Sequence, residues 1–177
     1  EVRQVVELGF LAGVTTNPTI MAKADGQPKE IIRQICAISP GPVFYQVTAK
    51  SAAEREREGR EFFSINPERI VLKIPATTEN MALMTKLSLD IPCAATAVYC
   101  GHQTLVACEA GATYVIPYVN RATRLLGDGC RLVAEMAGVL KASGRSAEIL
   151  AASIKSGEEA TQAVHAGANH LTLPPDI

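Results

Sequence analysis

Apolar residues fall in short runs along this chain, and each run is preceded by a segment with helical spacing. The buried-strand runs are Gly13–Thr16, Val43–Val47, Ile70–Pro75, Cys93–Val98, Tyr114–Val119, Ala147–Ser153 and His170–Leu173. The helical segments run from Glu1 to Gly9, Pro28 to Ile38, Ser51 to about Phe63, Thr78 to Asp90, His102 to Gly111, Asp128 to about Ser143, and Ser156 to Gly167. Aliphatics at 31, 32, 35 and 38 share one helical face, and Pro28 suits the first turn of that helix. Ser51…Glu54 and Ser156…Glu159 read as capping boxes. Asn120–Gly129 (NRATRLLGDG) reads as a loop, with Asp128 as a helix cap. The charge run EREREGRE from Glu54 reads as a solvated helix face.

Helix then strand, repeated without a linker, predicts one domain over residues 1–177 with a parallel sheet and right-handed crossovers. A faint repeat supports this order: Ala110-Gly111-Ala112 and Ala166-Gly167-Ala168 each end a helix before a strand, with Leu8-Gly9 a weaker copy. Short apolar strands alternating with helices favour a (β/α)8 barrel over an open sheet. No G-x-G-x-x-G follows a strand, which weighs against a dinucleotide fold. The pattern is short of one strand before Glu1 and one helix after Ile177, so the sequence is expected to begin and end inside the domain.

Composition narrows the function. Lys and Arg number 17 against 18 Asp and Glu, which argues against a nucleic-acid surface or a polybasic membrane patch. No apolar run spans a bilayer, and no signal peptide is visible. The five cysteines include no C-x-x-C pair and read as reduced thiols of a cytoplasmic protein. His102, His165 and His170 are scattered without metal-ligand spacing, so no metal or cofactor is expected.

The chemistry-bearing residue types sit at strand ends. Asn17, Gln46, Lys73, Thr96, Tyr118 and Ser153 interrupt apolar runs on six different strands, at the ends where a barrel carries its site. Lys73 stands out, because an unpaired ammonium is costly inside a buried strand. It either reaches solvent or a carboxylate, or it is an amine whose pKa burial lowers until it attacks carbonyls. Alternation aims Lys73 and Val71 at the barrel interior, and Leu72 and Ile74 at the helices. Arg121, past the next-to-last of these site strands, offers a fork for phosphate or a surface salt bridge.

In order, GVTTNPT from Gly13, VLKIP from Val71, ATAVY from Ala95, PYVNR from Pro117 and LAASIK from Leu150 resemble the small transaldolase family, in particular its fructose-6-phosphate aldolase branch. The resemblance covers essentially the whole chain. It implies a metal-independent class I aldolase on a (β/α)8 barrel, with Lys73 as the Schiff-base lysine. Gln46, Thr96 and Tyr118 match positions that hold a catalytic water and relay protons. Asn17 matches a substrate contact, and Arg121 and Ser153 match the acceptor's phosphate site. The implied partners are a small sugar or sugar phosphate and further copies of the chain, in a pentamer or decamer. Glutamine at 46 and tyrosine at 118 resemble the aldolase branch, where transaldolases proper tend to have glutamate and phenylalanine.

The sequence also departs from the pattern. The strand that carries the family's aspartate is not in it, nor is the family's C-terminal helix. Ile116 stands where a small residue is common in the aldolase branch, and small Ala94 and Ala95 lie nearby. Three readings follow. One is an aldolase that cleaves fructose 6-phosphate to dihydroxyacetone and glyceraldehyde 3-phosphate. Another is a transaldolase that moves a dihydroxyacetone unit between sugar phosphates. The third is a sugar-phosphate-binding barrel without catalysis.

Overall fold

The computed structural model describes residues 2–177. Seven strands pair in parallel and in chain order. They are β1 (Val14–Thr15), β2 (Val43–Gln46), β3 (Ile70–Pro75), β4 (Cys93–Val98), β5 (Tyr114–Pro117), β6 (Glu148–Ala151) and β7 (His170–Leu171). The helices are α1 (Val2–Val6), α2 (Pro18–Met21), α3 (Pro28–Ile38), α4 (Ala52–Phe63), α5 (Thr78–Leu87), α6 (Gly101–Glu109), α7 (Val119–Leu126), α8 (Gly129–Ser143) and α9 (Gly157–His165). The sheet curls enough for the Thr15 hydroxyl, on β1, to meet the Thr172 hydroxyl, just past β7, at 2.7 Å. This is the curled parallel sheet of a (β/α)8 barrel fold. Glu1, where the first helix was expected to begin, lies outside the described residues.

The sheet divides two apolar clusters. Inside the curl lie Phe44, Val71, Ala94, Ile116, Leu150 and Ala152. Their neighbours in sequence, among them Tyr45, Leu72, Cys93, Val115 and Ile149, pack outward against the helices. This is strand alternation carried through five strands. A one-residue slip in any strand would move its large side chains to the wrong face, so burial fixes the register. Lys73 is two residues from Val71 and therefore shares the inner face. Each fully buried aliphatic of the outer cluster contributes about 1.5–3 kcal/mol relative to exposure.

Local signals act where the sequence places them. Ser51 and Glu54 form both bonds of a capping box. Asp128 accepts from the Arg131 amide at 2.9 Å and starts α8. The repeat is a shared helix exit: Gly111 and Gly167 have φ +90° and +107°, and the next alanine amide bonds back to Ala107 and Ala163.

Three expectations change. The expected loop at 120–129 is mostly α7, because Val119 and Ala122, three apart, bury one face of an otherwise polar segment. Asn17-Pro18 opens a one-turn helix, with Asn17 as its cap and Pro18 at its first position. The second capping box is half formed. Ser156 accepts from the Glu159 amide at 3.1 Å, but the Glu159 carboxylate turns instead to the Lys155 amide at 2.7 Å and Asn120 at 3.1 Å.

Candidate active site

Lys73 is 4% exposed. Its amine donates to the Thr16 carbonyl at 3.0 Å. Thr16 is itself held, its hydroxyl donating to the Phe44 carbonyl at 2.8 Å. Among the described residues no carboxylate pairs with the lysine, so burial alone pushes its pKa from 10.5 down to about 8. At pH 7 about one such amine in ten is neutral, against about one in 3,000 for an ordinary lysine. Only the neutral form of an amine is nucleophilic.

Gln46 ends β2 directly beside Lys73 in the sheet register. Its Oε1 atom is buried and has no hydrogen-bond partner. A buried unpaired amide oxygen is costly, and a site that will receive a water or a hydroxyl is a reason to keep one. On the other side of β3, Thr96 is fully buried on β4. Its hydroxyl donates to the Tyr118 hydroxyl at 3.1 Å. Tyr118 follows β5 and bridges to Ala152 past β6. The Thr96–Tyr118 pair forms a short hydroxyl chain that can pass a proton in either direction.

Among the described residues two non-glycine residues have positive φ, Ala97 at 58° and Ser153 at 61°. Each adjoins or is a candidate site residue, and each stores local strain. Ala97 is the extra residue where the register shifts between Thr96 and Val98. Ser153 turns the chain after β6, and its carbonyl accepts from the Asn120 amide at 3.1 Å. Arg121 lies in the first turn of α7, exposed, with its guanidinium 4.9 Å from the Tyr118 ring centre. That contact tethers the arginine to the Thr96–Tyr118 pair. Asn17 sits at the start of α2, where Oδ1 accepts from the Ile20 amide at 2.9 Å. A cleft of about 270 Å³ opens beside Thr16, Asn17, Gln46 and Thr48.

The fold thus places Gln46 next to Lys73, Thr96 against Tyr118, and Arg121 over Tyr118. Asn17 lies with Gln46 on the cleft. Ser153 meets the group through backbone only, among the described contacts. Ile116 is fully buried in the inner cluster, beside Thr96 in register, so its bulk does face inward. Ala94 shares that face, whereas Ala95 packs outward.

Sequence reading missed Thr16, whose contribution is a backbone carbonyl, and two members of the charge run, Arg55 and Glu58. Arg55 is buried, and Glu58 binds the loop after β2, so this run is not simply a solvated face. The clue was Gly59, where an added Cβ would come within 2.9 Å of Leu72 Cδ1. A glycine amid charges marks the point where α4 presses on the sheet.

The Transaldolase/Fructose-6-phosphate aldolase family matches residues 1–177. The chain belongs to this family. It is 33% identical to a probable transaldolase of Symbiobacterium thermophilum and 37% identical to probable transaldolase 1 of Bacillus cereus. Each alignment spans 100% of this chain and 82% of the relative. A probable transaldolase of Methanococcus vannielii is 35% identical over the same shares. The chain is therefore an enzyme of the aldolase and transaldolase type. Among solved structures, mandelate oxidase with (S)-2-phenylpropionate superposes at a TM-score of 0.61 over 80% of this chain, with 15% identity. The chain spans about half of that oxidase (51%), and the likeness concerns the fold alone. Among the described residues, no helix is long and apolar enough to cross a membrane.

Proposed function

We propose that the enzyme makes and breaks carbon–carbon bonds through an imine on Lys73, cleaving a ketose phosphate such as fructose 6-phosphate to dihydroxyacetone and glyceraldehyde 3-phosphate. The buried Lys73 amine, facing a carbonyl oxygen instead of a carboxylate, carries this reading. Neutral Nζ attacks the ketose carbonyl, and water leaves to give an iminium. The hydroxyl on the far side of the scissile bond gives up its proton. That bond's electron pair flows into the iminium, and the aldehyde departs from an enamine. A proton returns to the enamine carbon, and water attacks the new iminium to free dihydroxyacetone and the lysine. Tyr118 and Thr96 relay the protons, while Gln46 Oε1 holds the water. Asn17 contacts the substrate. Arg121 and Ser153 hold the aldehyde's phosphate.

A second reading has the enamine captured by another aldose phosphate, which is transaldolase chemistry. The names of the relatives favour it, and the same residues serve it. The tyrosine hydroxyl at 118 favours release to free dihydroxyacetone, because it supplies the proton that quenches the enamine. The five free cysteines suit the reducing cytoplasm, and a ring of identical chains is the assembly that the family resemblance implies.

The deciding experiment is borohydride reduction in the presence of dihydroxyacetone, followed by peptide mass spectrometry. The expected result is one adduct, on Lys73, forming faster as pH rises through about 8. An unmodified Lys73 in folded, phosphate-binding protein would instead favour the non-catalytic binding barrel. Adduct formation with a midpoint near 10.5 would contradict the activated amine.

A further inference from the structure

Helix α4 turns two charged side chains, three residues apart, onto the loop that follows β2. The Glu58 carboxylate accepts from the Tyr45 hydroxyl at 2.7 Å, the Thr48 amide at 2.9 Å, the Thr48 hydroxyl at 3.0 Å and the Ala49 amide at 2.8 Å. Arg55 does the converse. Its Nη1 donates to the carbonyls of Ala49 at 3.1 Å and Lys50 at 2.7 Å, and its Nη2 pairs with Glu79 at 2.8 Å. Both kinds of backbone group in one short loop therefore end on a charge. Charge-assisted bonds of this kind are about twice as strong as neutral ones. Tyr45 is fixed from its other side by Phe62, with the rings stacked 3.6 Å apart.

The same stretch borders the cleft: Tyr45, Gln46 and Thr48 line it, and Gln46 Oε1 is buried without a partner. We infer that Arg55 and Glu58 are positioning residues for the reaction: together they fix the chain from Gln46 to Lys50, and so aim Gln46 and set the Thr48 wall of the cleft. This rests on the reading of Gln46 as part of the aldol site. Neither charge touches the reacting atoms, and both act through the loop. Thr48 and Ala49 give Glu58 three bonds through backbone and hydroxyl, so the clamp sets where the chain runs and not merely how α4 begins.

The test is Glu58→Gln in the full-length protein, which keeps the size and removes the charge. Hydrogen exchange at the Thr48 and Ala49 amides should quicken about 10-fold, with the amides in the middle of α4 unchanged. Turnover of fructose 6-phosphate should fall about 10-fold, as expected for a misplaced catalytic group, while the Lys73 adduct with dihydroxyacetone still forms. In a Gln46→Ala background the same substitution should cost less than about 2-fold, because the residue it positions is gone. An equal loss in both backgrounds, or unchanged exchange at residues 48 and 49, would overturn the inference. Arg55→Lys keeps the charge but loses the fork. It should lower turnover about 3-fold, with the same dependence on Gln46, and it provides the test if Glu58→Gln does not fold. If the wild-type protein forms no Lys73 adduct, the aldol reading falls. Exchange at residues 48 and 49 then decides the clamp alone: quickening in Glu58→Gln upholds it, and no change overturns it.

Discussion

The dry and wet sides of the barrel mouth are built by opposite means. On β3 and β4, each six residues long, Lys73 and Thr96 are 4% and 0% exposed and rest on apolar walls. On the wet side, Asn17 and Arg121 occupy helix starts, and Ser153 a strained turn, after elements of two to four residues. The dry side changes what a group is, because burial makes a lysine neutral enough to attack. The wet side changes what a group can reach, because partly or fully exposed groups at helix starts can meet charged molecules. The proposed reaction assigns covalent chemistry to the first and phosphate capture to the second.

Lys73→Met breaks the dry side most completely. The imine adduct and all turnover should vanish while the fold survives, since methionine fills nearly the same volume. Stability should rise. Above about pH 10.5 the amine is neutral in both states and costs nothing. Between about 8 and 10.5 the unfolded chain binds the proton and the folded protein does not, so stability climbs with pH across that window. Below about 8 the full penalty applies, about 3 kcal/mol, offset by about 1 kcal/mol for the bond to Thr16. Urea unfolding should therefore show the variant about 2 kcal/mol more stable at pH 7, with the gain shrinking from pH 8 to 10. Turnover by Lys73→Met would rule out the mechanism.

Tyr118→Phe tests the proton path and leaves the nucleophile alone. It removes the hydroxyl that meets Thr96 at 3.1 Å. Cleavage to free dihydroxyacetone should fall about 100-fold, a typical share for a proton donor. Transfer to a second aldose phosphate should fall less, because capture of the enamine by an aldehyde needs no protonation at carbon. Measuring both products from one reaction gives the ratio. Equal losses would favour the transaldolase reading.

The dry side was also the more legible in sequence. A lysine in an apolar run is an anomaly at its own position, and strand alternation aims it without any other information. The same alternation placed Val71 inside and Leu72 outside, as found. The wet side depends on partners far along the chain. Arg55 and Glu58 looked solvated because alternating charges in a helix say nothing about which one meets a loop. Their roles appear only when α4 lies on β3 with Gly59 at the contact. Helix α7 was hidden because it buries only Val119 and Ala122, too few for a periodic signal. The Thr16 carbonyl was invisible in principle, since every residue has one.

The smallest effect expected on this comparison is that of Arg121→Ala, and it sharpens the wet side. The guanidinium is exposed and stacked on Tyr118, so its loss leaves no cavity and should barely move the unfolding midpoint. A charged hydrogen bond to phosphate contributes about 1.5–3 kcal/mol, of which solvent exposure leaves the lower part. KM for the phosphorylated aldehyde should therefore rise about 10-fold in the synthesis direction, with kcat nearly constant. For an unphosphorylated aldehyde of the same length KM should stay where it is, and raising the salt concentration should narrow the difference between the two substrates. A fall in kcat for both aldehydes would mean that Arg121 acts through the Tyr118 ring it covers, and so belongs with the dry side.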